Sequence, residues 1–179
     1  ITIGGAGNCY RTIHRASCNL AYNATTPLTA DTFDLPVLRS IINTEEGVGG
    51  THTGVTVNSI YLAAADYPTV GALATKLRVT ANLLVNDVAP TGNFTIGLYP
   101  ITRPATSGGT RETIITLGTV VAGSTVLFTA PAADSMANDN SGDFAIPAAG
   151  HYVLGLVTTT TIAVDSRVDI TATLQMRQV

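Results

Sequence analysis

A chain of 179 residues can bury one full hydrophobic core, and no shift in composition marks a second. Only 12% of the residues are charged, the net charge is −3, and Lys76 is the one lysine, which together exclude an electrostatic nucleic-acid binder. Mean hydropathy is +0.32, but no apolar run nears the roughly 20 residues that cross a bilayer and no charged-then-apolar signal layout opens the chain, so a soluble protein is expected.

Residues 1–30 read as an N-terminal arm or edge segment ahead of a single β domain over 31–179, with ITIGGAGN at the front as a tail or edge strand. Cys9 and Cys18 fit either a local disulfide or two reduced thiols, and their spacing matches no metal site. TFDLPVL (32–38) and VTVNSIYLA (55–63) read as strands on either side of the glycine-rich loop EEGVGGTHTG. YPTVGALATKL (67–77) could hold a turn or two of helix, since Pro68 suits a first turn and Gly71 keeps any helix short.

KLRVTANLLVN (76–86) carries the clearest pattern. Leu77, Val79, Ala81, Leu83 and Val85 share one face, and Lys76, Arg78, Thr80 and Asn82 share the other, as in a half-buried antiparallel strand. Leu84 breaks the polar face and marks a possible interface. NFTIGLYPIT (93–102), ETIITLGTV (112–120), STVLFTA (124–130) and HYVLGLVT (151–158) come next, joined by glycine-, proline- and serine-bearing turns. The final strand, SRVDITATLQMR, sets Val168, Ile170, Ala172, Leu174 and Met176 inward. About eight strands with turns every 8 to 12 residues predict an all-β fold, an antiparallel β-sandwich or jelly roll.

Candidate chemistry is sparse. His14, His52 and His151 form no zinc-type pair, there is no Gly-x-Ser-x-Gly elbow, and the adjacent Glu45 and Glu46 lack the cleft-spanning geometry of a glycosidase. Asp134, Asp139 and Asp143, with Asn138 and Asn140, make one oxygen-rich stretch that reads as weak calcium ligands or as a solvated hairpin loop; the distal glutamate of an EF-hand is missing. No cofactor and no enzymatic activity are expected. In GDFAIPAAGHYVLGLV (142–157), Pro147 cannot donate to a ladder and Gly150 can take positive φ, so Ile-Pro-Ala-Ala-Gly is read as a corner between two strands.

Phe144-x-x-Pro147-x-x-Gly150-x-Tyr152 resembles the Phe-x-x-Pro-x-x-Gly-x-Tyr stretch of jelly rolls of the complement C1q and tumour-necrosis-factor type. Over residues 55–179, segments such as VTVNSIYLAAADYPTVGALATKLRVTANLLVNDVAPTGNFTIGLYPIT and ITATLQMRQV look like virion proteins of tailed bacteriophages, of the minor tail, fibre or head-decoration kind. The resemblance implies a structural subunit at the virion surface, a homotrimer docked on capsid or tail proteins. The alternative is an extracellular adhesin that recognises a host-surface glycan or receptor.

Overall fold

The computed structural model describes residues 9–21, 31–34, 51–52, 59–67, 73–90, 92–102, 115–158 and 167–179. Among them, twelve strands lie in two antiparallel sheets packed as a β-sandwich, with one 3-10 turn at Ala64–Asp66. In chain order the strands are β1 (Arg11–Ala21), β2 (Asp31–Asp34), β3 (Thr51–His52), β4 (Ile60–Leu62), β5 (Thr75–Asn86) and β6 (Asn93–Thr102). They continue as β7 (Ile115–Leu117), β8 (Val126–Thr129), β9 (Ser135–Asn140), β10 (Phe144–Ala145), β11 (Gly150–Thr158) and β12 (Arg167–Gln178).

Period-two alternation builds the first sheet. β5 and β12 pair in register from Thr75↔Gln178 to Asn86↔Arg167. Every second residue of β5 from Leu77 to Val85 is fully buried, and Val168, Ile170, Ala172 and Leu174 of β12 meet them in the core. β1 lies on the other side of β12, with a bulge between Thr12 and His14 and Cys18 opposite Ile170. β9 and β10 run one after the other along the free edge of β5. The segment expected as an arm or edge therefore supplies the edge strand Arg11–Ala21, held by β12 along its length.

The second sheet is apolar on both faces. β11 pairs with β6 along its length, and β4 and then β2 share its other edge. Phe94, Ile96 and Leu98 of β6 point into the core between the sheets, while Tyr99 and Ile101 pack on the far face with Val153 and Val120. The far edge of β6 takes β8, then residues 118–124, then β7. In that middle stretch the Leu98 N–H donates to Ser124 Oγ (3.1 Å), the Val121 N–H to the Leu98 carbonyl (2.8 Å) and the Gly118 N–H to the Pro100 carbonyl (2.8 Å). The edge is satisfied without a continuous strand, as a buried backbone requires.

Consecutive strands change sheet at β1–β2, β4–β5, β5–β6, β8–β9, β10–β11 and β11–β12. Twelve strands stand among the described residues where roughly eight were expected, because β1, β3, β9 and β10 lie outside the expected runs; several expected strands are also shorter than their runs. The 112–120 run is strand at Ile115–Leu117 and not at 118–120, with 112–114 outside the described residues; the 32–38 run is strand at Asp31–Asp34 with 35–38 outside them, and the 55–63 run is strand at Ile60–Leu62 with 55–58 outside them. Thr51 and His52, expected in a loop, pair with β7. The 67–77 stretch, read as holding at most a turn or two of helix or only a loop, ends in strand, since Thr75–Leu77 already belongs to β5. Residues 68–72 lie outside the described residues, as do 1–8, Glu45, Glu46 and Glu112.

Candidate functional site

The outer face of the first sheet holds the most organised set of polar side chains. Arg78 and Arg177 stand on the polar faces of β5 and β12, where alternation puts them. Asp143 reaches them through a break in the edge strand. Three residues, Ser141 to Asp143, oppose two, Arg78 and Val79, and Gly142 absorbs the extra length at φ +74°. Ser141 keeps the ladder closed there: its N–H donates to the Val79 carbonyl (2.9 Å) and its Oγ accepts from the Val79 N–H (3.0 Å).

Asp143 then joins four elements. Tyr10, just ahead of β1, donates its hydroxyl to Asp143 Oδ1 (2.9 Å), and Arg177 Nε donates to Oδ2 (2.7 Å) with a second bond from its Nη2. Arg78 Nε lies 3.4 Å from Oδ1. The two guanidinium carbons sit 4.1 Å (Arg78) and 4.9 Å (Arg177) from the centre of the Tyr10 ring, so the phenol is stacked by cations as well as hydrogen-bonded. Desolvation alone would raise the Asp143 carboxyl. Hydrogen bonds from Arg177 and Tyr10 and the charges of both arginines overcome it and hold the carboxyl below its usual value. The Tyr10 phenol is pushed up, by desolvation first and by its bond to Asp143 second, so it stays protonated. The arrangement fixes side chains in place and pins the start of β1 to the sheet; it offers no nucleophile.

At the opposite end of the same face, Leu84 of β5 is paired with Met136 of β9. They are 39% and 70% exposed, an apolar pair on a face made mostly of polar and charged side chains. The candidate interface at Leu84 is thus a two-residue feature. Met136 carries no signal in the sequence, because SMANDN has the composition of a solvated loop and is strand.

The three aspartates expected as weak calcium ligands are held apart. Asp134 Oδ1 accepts from the Asp87 N–H (3.0 Å) in a turn at φ 46°, Asp139 Oδ1 accepts from the Asn140 N–H (2.8 Å), and Asp143 is engaged by arginine. Among the described residues, no group of His, Cys, Asp and Glu is placed to hold a metal. Cys9 carries a free, exposed thiol. His151 is exposed and meets the ring of Tyr61 edge to face at 5.2 Å, on the edge where β4 joins β11.

The corner at Phe144, Pro147, Gly150 and Tyr152 carries the chain from the first sheet to the second. Phe144 ends one sheet and Tyr152 begins the other, both buried in the shared core. The Tyr152 hydroxyl donates back to the Ala148 carbonyl (2.6 Å), which ties the bend to the strand after it. Gly150 differs from the expectation: it is not among the glycines at positive φ, and an added Cβ would meet the Tyr152 ring at an ordinary 3.5 Å. The bend comes from Pro147 and the tyrosine bond, with no left-handed residue needed at position 150.

Compared with known proteins, the chain matches no family model, no curated sequence and no solved structure.

Proposed function

We propose that the chain is a non-enzymatic structural subunit of a tailed-bacteriophage particle, a jelly-roll β-sandwich at the virion surface that assembles as a homotrimer and docks on capsid or tail proteins. The observation that carries this reading is the outer face of the first sheet, low in aromatic content and bearing the exposed Leu84–Met136 pair. Apolar side chains exposed together on a strand face are suited to contact with another protein. The sequence resemblance supplies the particle. Light scattering tests it: a species three times the 18.4 kDa chain is expected, and a monodisperse monomer at micromolar concentration overturns the assembly.

The exposed Tyr61–His151 pair favours one second reading, an adhesin that contacts a host-surface glycan through an aromatic platform. Saturable binding to one sugar class on a glycan array, lost in Tyr61→Ala, would establish it. A flat response across the array would remove it.

A further inference from the structure

Charge is segregated along the strands of the first sheet. In the half that holds Asp143, β1 contributes Arg15, β5 contributes Lys76 and Arg78, and β12 contributes Arg177, while Arg11, opposite Met176, lies on the other face. These are four of the nine basic residues in the chain. Among the described residues of that half, Asp143 is the one acid, and it is already engaged by Arg177 and Tyr10. The other end carries Asp169 on β12, Asp87 just after β5 and Asp134 just before β9, with Arg167 as its cation, paired to Asp169 at 3.0 Å. Asp139 lies between, opposite Ala81 and so on the other face of the strand. From Arg177 to Asp169 is eight residues of strand, about 27 Å, several screening lengths apart at physiological salt. Between the charged ends, Thr80, Asn82, Thr171 and Thr173 carry no charge.

Such a face is complementary to itself in one orientation. A two-fold axis along the strands would set like ends together, whereas an axis in the plane of contact and across the strands sets the cationic end of each copy over the acidic end of the other. We propose that this face docks on the same face of a second copy of the chain about an axis across the strands, pairing subunits two by two in addition to any threefold packing. The proposal rests on the assembly reading above and names a contact for it. Four strands about 4.8 Å apart and roughly 34 Å long offer roughly 650 Å² per copy. Two copies would bury roughly 1,300 Å², enough for a standard specific interface.

The test uses charge reversal at each end, outside the Tyr10–Asp143 cluster: Lys76→Glu and Asp169→Lys. Sedimentation velocity of the native chain is expected to give the threefold species at about 0.5 M salt and pairs of it at low salt, the pairing weakening at least about tenfold between the two. Either variant alone weakens association by at least about tenfold, because each contact then opposes like charges twice. Mixing the two variants restores it, since every introduced charge then faces its opposite. If Lys76→Glu melts early, Lys76→Gln keeps the test, because it must flatten the salt dependence. Association that ignores salt and both variants overturns this contact, and if the species is a trimer the assembly reading survives. A monomer under all conditions overturns both. A monomer retained on a sulfated polysaccharide also overturns the proposal and assigns the cationic end to an anionic polymer.

Discussion

The two sheets treat their outer faces differently. The first leaves Thr80, Asn82, Thr171 and Thr173 facing outward from a strand pair whose other side is fully buried. The second buries Tyr99, Ile101 and Val153 on its outer face as well, and Gly97 and Gly155 stand opposite each other there so that Val120 and Tyr99 can lie flat on the backbone. Among the described residues, the second sheet buries apolar side chains on both faces, although Leu127 and Tyr61 stay exposed, while the first buries only one face.

Matched substitutions on the two faces should break that contrast most visibly. In Gly155→Val the new Cβ would fall 2.7 Å from Tyr99 Cδ2, against a ring that is itself covered, and a loss of about 3 kcal/mol is expected. Thr171→Val on the first sheet should stay within about 0.5 kcal/mol. Urea denaturation of both variants decides it, and equal losses would mean that the first face is as fully packed as the second.

Each sheet also mends an interrupted edge with a serine. Ser124 is fully buried, and Ser124→Ala strands the Leu98 N–H, for an expected loss of about 2 kcal/mol. Ser141→Ala removes the acceptor of the Val79 N–H at a part-buried position and should lose about 1 kcal/mol. The same denaturation series would reverse this ordering if the Ser141 break were the more rigid of the two.

Acid titration separates the sheets in another way. The Asp143 carboxyl is lowered on folding, so its contribution is complete above the unfolded value of about 3.9 and is lost as pH falls through the lower folded value. Asp143→Asn should melt below the native chain at neutral pH by a few degrees. The gap should close as pH falls below about 4, and a gap constant with pH would remove the charge-based account of the cluster. The smallest effect is expected at Gly150→Ala, within about 0.5 kcal/mol, because its Cβ meets only ordinary contact; a large loss would restore a conformational role for that glycine.

Legibility in the sequence divides along the same line. β5 and β12 are legible residue by residue because one buried face and one open face produce strict alternation, and Leu84 stands out as the exception to it. The second sheet, with buried apolar side chains on both faces of β6 and β11, shows mainly apolar runs, so its interrupted edge at residues 115–124 looks in sequence like longer, continuous strands. β9 is hidden because Asn and Asp at three of its last three positions look like a turn, yet at an edge facing solvent those side chains are tolerated once β5 supplies the ladder. The Tyr10–Asp143 bond spans 133 positions, and no local pattern announces it. The joint at Phe144 and Tyr152 is legible from Pro147, although Gly150 owes its place to something other than positive φ.

The topology has a temporal consequence. β12 is the latest strand in chain order, yet it lies between β1 and β5 and pairs with both along their length. During synthesis, β1 has no neighbour in its sheet, and β5 has β9 and β10 on one edge alone, until β12 is made. The first sheet can close only after the ribosome has delivered residues 167–178, so folding is expected to be slow, late and dependent on protection of the growing chain.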